Sequence, residues 1–181
     1  MNAEGNAGQE LIERLKKKDN TALNEVMAMY KNQIFNYLKM MTGSKELAEE
    51  LTQDTFVKVY FKAHSLRTDN LKAWIYKIAT NLARSEFRKM KIKHLLSLSD
   101  INESHVSYNP AHGKELELEQ ILAVLPDKYR TVVIMKEINN FSLEEIAVIL
   151  KKPVGTIKSL MFRGLQMVRN HFQTALGGSH G

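Results

Sequence analysis

Hydrophobic residues in this sequence recur every three or four positions almost throughout, which is the period of an amphipathic helix. The clearest stripe lies between residues 20 and 41 and consists of Leu23, Val26, Met27, Tyr30, Ile34, Tyr37 and Leu38. No segment shows the alternation of a half-buried strand, and the chain contains only three prolines and nine glycines. We therefore predict an all-α protein.

The N-terminal half is predicted to contain four helices, separated by residues that favour helix ends. Their expected ranges are about 10–17, 20–41, 44–63 and 71–91. Gly43 suits the end of the second helix and Ser44 suits the N-cap of the third. A polar loop, residues 64–70, precedes the fourth helix, which Asp69 or Asn70 can cap.

The helical pattern stops between residues 98 and 113, where serine, asparagine, aspartate, Pro110 and Gly113 replace it. Connections longer than about 12–15 residues are uncommon inside one compact domain. We therefore predict two small helical domains, residues 10–93 and 114–174, joined by a flexible linker at residues 94–113.

The C-terminal domain is predicted to contain four more helices, at about 116–125, 126–138, 143–151 and 156–172. Ser142 and Glu145 have the spacing of a capping box. Pro153 is predicted to stop the third of these helices, and Gly155 to allow the tight turn after it. A short connection between two such helices is typical of a helix-turn-helix, with residues 155–172 as its recognition helix.

The recognition helix is expected to have one buried face and one wet face. Ile157 and Leu165 would anchor it against the preceding helix, whose packing residues are Ile146, Ala147, Ile149 and Leu150. The side chains left toward solvent are Thr156, Lys158, Ser159, Phe162 and Arg163. Such side chains can contact phosphates, base edges and thymine methyl groups. An ordinary helical hairpin with a solvated face is the alternative.

The charge distribution favours a polyanionic partner. The formal net charge is +6, and residues 1–93 carry 17 Lys and Arg against 11 Asp and Glu. A basic excess attracts nucleic acid, although a plain solvated surface also accounts for it. The absence of cysteine excludes disulfides and thiolate zinc sites. No apolar run approaches the roughly 20 residues of a membrane span, and no signal peptide is evident, so we predict a cytoplasmic protein that does not itself span a membrane.

An enzyme is disfavoured because no catalytic motif is present. The sequence lacks a glycine-rich phosphate loop, a His-Glu-x-x-His pair and a Gly-x-Ser-x-Gly elbow. Its six histidines are scattered at positions 64, 94, 105, 112, 171 and 180. We predict no catalytic residues, no metal site and no cofactor.

Several longer motifs make the functional interpretation specific. Leu125-Pro-Asp-Lys-Tyr-Arg130, Phe141-Ser-Leu-Glu-Glu-Ile-Ala147 and Pro153-Val-Gly-Thr-Ile-Lys-Ser159 resemble region 4 of the extracytoplasmic-function (ECF) sigma factors of bacterial RNA polymerase. Ala48-Glu-Glu-Leu-Thr-Gln-Asp-Thr-Phe56 and Trp74-Ile-Tyr-Lys-Ile-Ala-Thr-Asn-Leu-Ala83 resemble their region 2. Both halves occur in the family's order, and the resemblance covers roughly residues 10–172. One departure is Leu160, where the family often has arginine, so the family's base preferences are not carried over.

The resemblance implies a role for each half in promoter DNA recognition. The C-terminal domain would bind the −35 element as duplex through Thr156, Lys158, Ser159, Phe162 and Arg163. The N-terminal domain would bind the −10 element as single strands. Its implied contacts are Ser65, Leu66, Arg67 and Asn70 from the loop, and Lys77, Asn81, Arg84 and Arg88 from the following helix. Trp74 could stack on a base, but we expect it to pack in the core.

The resemblance also implies protein partners. Glu50, Gln53 and Asp54 would bind core RNA polymerase, whereas Phe56 is expected to pack inside. An anti-sigma factor, in this family often membrane-anchored, is a further implied partner. The resemblance thus implies a non-catalytic sigma factor that recognises both elements and stabilises DNA opening. The alternative is a conventional helix-turn-helix activator or repressor.

Overall fold

The structure is a computed structural model that describes residues 3–96 and 114–177. The chain divides into two compact units, one on each side of a boundary between Glu103 and Ser104. All regular elements in these two described ranges are helical, which confirms the predicted all-α class. Most of the predicted linker, residues 97–113, and the last four residues lie outside the described residues.

Residues 3–96, the described part of the N-terminal unit, form four helices and one short turn. They are α1 (Ala3–Lys16), α2 (Asn20–Thr42), α3 (Lys45–Lys62), a 3-10 turn (Ala63–Ser65) and α4 (Leu71–Leu96). The first helix begins seven residues earlier than predicted, and α4 continues five residues beyond the predicted end. The sequence after Lys91 contains no glycine or proline until Pro110, so nothing in the backbone chemistry stops α4 there.

The helix ends in this unit follow the predicted capping chemistry. Gly43 adopts a left-handed conformation, φ 68°, and ends α2. The Ser44 hydroxyl accepts a hydrogen bond from the Leu47 N–H at 3.2 Å, and Asn70 Oδ1 accepts one from the Ala73 N–H at 2.9 Å. The cap of α2 is Asp19, and hydrogen bonds from Thr21 and Arg14 hold the pKa of its carboxyl well below its usual range.

Two buried tyrosines join α2 to α4 in the core of this unit. The Tyr37 and Tyr76 rings lie 5.1 Å apart between centroids, and the hydroxyls of Tyr37 and Thr80 are hydrogen-bonded at 2.8 Å. Burial raises the pKa of Tyr37 and raises the pKa of Tyr76 to about 12. These contacts hold one face of α4 against α2 and leave the opposite face of α4 at the surface.

The described part of the C-terminal unit contains four helices and one π-helical turn. They are α5 (Lys114–Ala123), α6 (Asp127–Val133), the π-helical turn (Ile134–Ile138), α7 (Leu143–Leu150) and α8 (Val154–Gly177). Asn140 adopts a left-handed conformation, φ 56°, after the π-helical turn. The π-helical turn itself has no counterpart in the prediction.

Arg130 closes the C-terminal end of α5. Its guanidinium donates hydrogen bonds to the carbonyl oxygens of Leu122 at 2.8 Å, Leu125 at 2.9 Å and Ala123 at 3.2 Å. Leu122 and Ala123 are the last residues of α5 and Leu125 follows shortly after it, so a cation there adds hydrogen bonds to carbonyl oxygens at the helix end and is favoured by the helix dipole. Desolvation lowers the pKa of Arg130. The single side chain thus holds α5 onto α6.

The corner between α7 and α8 differs from the prediction in one respect. Ser142 and Glu145 form the predicted capping box. The left-handed residue of the turn, however, is Lys151, φ 52°, whereas Gly155 already lies within α8. The turn therefore forms one residue after α7 ends, and Pro153 begins the next helix by accepting hydrogen bonds from Thr156 and Ile157.

The buried face of α8 also differs from the prediction. Ile157 is fully buried as expected, but Leu165 is 43% exposed and is not an anchor. Met161 and Gly164 occupy the buried positions instead, because they follow Ile157 by four and seven residues on the same helix face. A Cβ at position 164 would stand 2.8 Å from Val133 Cγ2, so α8 and α6 meet there without room for a side chain.

We expect Gly164→Ala to lower the free energy of unfolding of the C-terminal unit by about 1–2 kcal/mol. Overpacking against the stiff Val133 costs more than the helix gains from alanine. Amide hydrogen exchange of α6 and α8 in the full chain measures this effect. The control is Gly155→Ala, where nothing lies within 4 Å of the new methyl group. Slower exchange in the Gly164 variant would contradict the close packing.

Candidate nucleic-acid interface

The predicted wet face of the recognition helix is formed by α8. Thr156, Lys158, Ser159, Phe162 and Arg163 are all exposed. Phe162 is 64% exposed, although a phenylalanine of a folded domain is usually buried. Because Ile157 and Met161 point into the core on the other side, these five side chains form one continuous surface at the N-terminal half of α8.

The polar groups on this face differ in how they are held. The Ser159 hydroxyl donates a hydrogen bond to the Gly155 carbonyl at 3.0 Å, which leaves its oxygen able to accept. Arg163 interacts with the Tyr129 hydroxyl from α6. Leu160 is half-buried, so it lies at the edge of the packed face and not among the five exposed side chains.

The loop before α4 presents the first part of the predicted −10 surface. Ser65 and Arg67 are exposed, and the Ser65 hydroxyl donates to the Lys62 carbonyl at 2.7 Å. Asn70 is exposed but uses its amide oxygen to cap α4. Leu66 is buried and anchors the loop to the core, so the expectation that it contacts DNA is wrong.

The second part of that surface is a stripe along α4. Asn81 and Arg88 are exposed, and Lys77 and Arg84 are half-buried. Their spacings of four, three and four residues place them on one helix face over three turns. Trp74 lies one turn earlier on α4 and is half-buried. Its exposure is therefore intermediate between that of a core residue and that of a residue free to stack on a base. The cations therefore flank Asn81 on both sides.

The exposed face of α3 carries the predicted polymerase contacts. Glu50, Gln53 and Asp54 are exposed, and Phe56 is buried as expected. The same face continues with Val57 and Phe61, which are 53% and 60% exposed. Sequence reasoning missed these two residues. Their signal was an apolar pair at i and i+4 that continues the polar positions 50, 53 and 54.

These two apolar residues border a groove between α2 and α3. Its volume is about 610 Å³, and Gln53, Val57 and Phe61 line it together with side chains of α2 that include Met27 and Phe35. Its lining is mostly apolar, and Lys31 and Glu49 contribute charged groups to it. Exposed apolar surface of this kind commonly marks an interaction site on a monomer.

The described residues contain no group of three His, Asp or Glu side chains that could hold a metal ion. Among the same residues, no helix combines the length and the apolar character that crossing a membrane requires.

Both halves of the chain match models of one family. Residues 26–91 match sigma-70 region 2, and residues 115–168 match sigma-70 region 4. The first match contains α3 and the cation stripe of α4, and the second contains the helix-turn-helix.

Known proteins similar to this chain support the same family. The ECF RNA polymerase sigma factor SigW of Bacillus subtilis is 33% identical over 177 residues, which cover 90% of this chain and 95% of that protein. The ECF RNA polymerase sigma-E factor of Escherichia coli K12 is 28% identical, covering 91% and 94%. The sigma factor RpoE of Bartonella quintana, solved with the anti-sigma factor NepR, is 26% identical with a TM-score of 0.72, covering 83% and 96%. The chain therefore belongs to the extracytoplasmic-function sigma factors of the sigma-70 family.

Proposed function

We propose that this chain joins core RNA polymerase in the cytoplasm and directs it to promoters with its two domains. Residues 114–174 bind the −35 element as duplex, residues 10–93 bind the −10 element as single strands, and residues 94–113 connect them. The polymerase performs the chemistry, so the chain is not an enzyme. The observation that carries this proposal is the exposed face of α8, which presents two cations, two hydroxyls and an exposed aromatic ring in the N-terminal half of a recognition helix.

The −35 contacts follow from the chemistry of that face. An arginine or lysine donates to guanine O6 and N7 in the major groove, and an aromatic ring contacts a thymine methyl group. We assign Lys158, Phe162 and Arg163 to base edges. Thr156 and Ser159 lie toward the N-terminus of α8, where hydroxyls and helix N–H groups suit phosphates.

The −10 contacts follow from the stripe on α4. Unstacking bases costs a few kcal/mol, and side chains that hold the separated strand offset that cost. We assign the backbone to Lys77, Arg84 and Arg88, because spaced cations along one face can follow a phosphate chain. Asn81 carries both a donor and an acceptor, so we assign it to a base edge. The exposed Ser65, Arg67 and Asn70 extend this surface into the loop.

Polymerase binding is assigned to the outer face of α3. Glu50, Gln53 and Asp54 supply a polar rim, and we infer that Val57 and Phe61 supply its apolar centre. This combination is that of a protein interface, where a buried apolar or aromatic anchor is surrounded by polar groups. We also propose that an anti-sigma factor is a partner, because the similar RpoE of Bartonella quintana was solved with one.

A reconstitution with purified core polymerase tests the proposed function. The full chain is added to core polymerase and to a library of promoter templates, and the 5′ ends of the transcripts are sequenced. Initiation at aligned start sites with two shared upstream elements supports the proposal. A conventional activator or repressor would instead bind duplex sites alone and would not confer initiation on core polymerase.

We expect Asn81→Ala to reduce promoter opening roughly fivefold to 30-fold while leaving duplex capture nearly unchanged, because one base-edge contact contributes about 1–2 kcal/mol. Permanganate reactivity of unpaired thymines measures opening, and a gel-shift assay at low temperature measures capture of closed DNA by the holoenzyme. Asn24→Ala, an exposed amide on α2, is the control. Equal losses of opening and capture would remove Asn81 from the assigned role.

A further inference from the structure

The last part of α4 projects beyond the core of the N-terminal unit. Ala83 is buried, residues 84–87 are half-buried, and residues 88–93 are all exposed. Six consecutive positions point in every direction around a helix, because successive side chains are about 100° apart. No other helix of the described residues therefore covers α4 over residues 88–93, and this projecting end is open to a partner.

The projecting end is strongly basic. Arg88, Lys89, Lys91 and Lys93 are four cations within six residues, and no acidic residue lies between Glu86 and the end of α4. Lys89 is paired with Glu86 at 2.9 Å. The other three cations form no ion pair with any residue that the structure describes. Their charge is thus available to an anionic partner.

Lys91 is the cation of this end that continues the stripe on α4. That stripe begins at Lys77, ends at Arg88 and has spacings of four, three and four residues, and Lys91 follows Arg88 by three. Lys91 lies about 60° from Arg88 around the helix axis and about 21 Å from Lys77 along it. The surface that we assign to the −10 element therefore extends by one more cation, beyond the part of α4 that packs in the core.

The place of this end in the chain indicates which part of the DNA it meets. Residues 97–113 follow α4 and lead to the unit that we assign to the −35 element, which is upstream of the −10 element. The C-terminal end of α4 is therefore the end from which the chain continues toward the upstream DNA. In the proposed function only the −10 element is bound as single strands, so the DNA just upstream of it is a duplex.

We propose that Lys91 is a DNA-binding residue that contacts a phosphate of the duplex immediately upstream of the −10 element. This inference rests on the proposed function of α4. A lysine ammonium binds phosphate as a point charge and requires no particular base. The contact stabilises the border between the duplex and the opened strands, and the affinity that it adds does not depend on the sequence at that position.

Lys91→Gln tests this inference, because it removes the charge and keeps a residue that favours helix. The logarithm of the binding constant falls with the logarithm of the salt concentration, with a slope of about −0.9 for each phosphate neutralised. We expect the slope of the variant to be shallower by about 0.9 and its binding at about 0.1 M salt to be roughly threefold to tenfold weaker than that of the parent. Filter binding measures both quantities, with holoenzyme that contains the full chain and a promoter fragment whose −10 element is held open by mismatches.

A second template locates the contact. It carries uncharged methylphosphonate linkages in place of the duplex phosphates next to the −10 element on its upstream side. Lys91→Gln should bind this template as the parent does, because the charge that Lys91 contacts is already absent. The matched control is Lys93→Gln, which removes an exposed lysine about 160° around the helix axis from Lys91 and should bind both templates as the parent does.

Three results would overturn the role of Lys91. Unchanged binding and an unchanged salt slope would mean that it makes no DNA contact. Equal losses with Lys91→Gln and Lys93→Gln would mean that the basic end of α4 attracts DNA without a defined contact. An undiminished loss on the methylphosphonate template would mean that Lys91 meets the single strands or the polymerase and not the duplex.

Two variants of the stripe separate this inference from the function on which it rests. If Lys77→Gln and Asn81→Ala have no effect on binding to either template, the assignment of α4 to the −10 element fails first. If both weaken binding to both templates while Lys91→Gln changes neither, only the role of Lys91 is wrong and the proposed function stands.

Discussion

Replacing both Lys158 and Arg163 by alanine should lower transcription from a −35-dependent promoter roughly 100-fold. Each base-edge contact from a lysine or arginine contributes about 1–3 kcal/mol, and each 1.4 kcal/mol corresponds to a tenfold change in affinity. Both side chains are exposed on the first three turns of α8, where recognition helices contact base edges. Truncating them leaves the buried residues Ile157 and Met161 in place, so the helix itself should persist.

Run-off transcription with reconstituted holoenzyme measures this loss. The matched control is Arg169→Ala, which removes an exposed cation of the same helix at a position about 16 Å further along its axis than Lys158. The double variant and the parent should transcribe equally from a template whose −35 element has been scrambled, because the contacts are then already lost. A 100-fold difference on the scrambled template would mean that the two cations act elsewhere.

Much of the fold was predictable because local chemistry fixes the helix ends. Gly43, Ser44 and the Ser142 capping box are short-range signals, and each occurs in the structure as expected. The end of α4 was less predictable, because no residue near Lys91 disfavours a helix. The left-handed turn at Lys151 was missed for a different reason. Lys151 is the C-cap of α7 and its N–H donates to the Ala147 and Val148 carbonyls, a role that glycine or asparagine would signal in a sequence but lysine does not.

The site was predictable where helix periodicity sets exposure and less so where packing between helices does. The five exposed positions of α8 follow from the spacing relative to Ile157. Leu165 was assigned to the core by its residue type. In the structure α6 packs directly against Gly164, so position 164 and not position 165 lies on the buried face of α8. Leu66 shows the opposite error, since a loop residue next to polar neighbours is buried as the anchor of that loop.

The outer face of α3 is a partner surface that becomes evident only when the exposure of its side chains is known. Glu50, Gln53 and Asp54 looked like ordinary solvated residues in the sequence, and the resemblance alone gave them a role. The exposure of Val57 and Phe61 on the same face adds a physical reason for that role. Covering two large apolar side chains beside an apolar groove removes them from water, which favours binding of a partner.

We therefore expect Phe61→Glu to weaken binding to core RNA polymerase roughly tenfold to 100-fold. Aromatic anchors at the centre of an interface commonly contribute 2 kcal/mol or more, and a carboxylate placed there must also be desolvated. Because Phe61 is 60% exposed, the substitution removes little packing within the N-terminal unit, and the melting temperature should change only slightly.

Competition between labelled parent and unlabelled variant for a limiting amount of core polymerase measures this effect. Met29→Glu is the matched control, because it introduces the same charge at a side chain of α2 that is 52% exposed but is not part of the groove lining. If both variants compete as well as the parent, polymerase does not use the apolar end of α3. If both lose affinity equally, added negative charge is the cause, and the anchor role of Phe61 is wrong. A selective loss with Phe61→Glu would locate the polymerase contact on the apolar continuation of Glu50, Gln53 and Asp54.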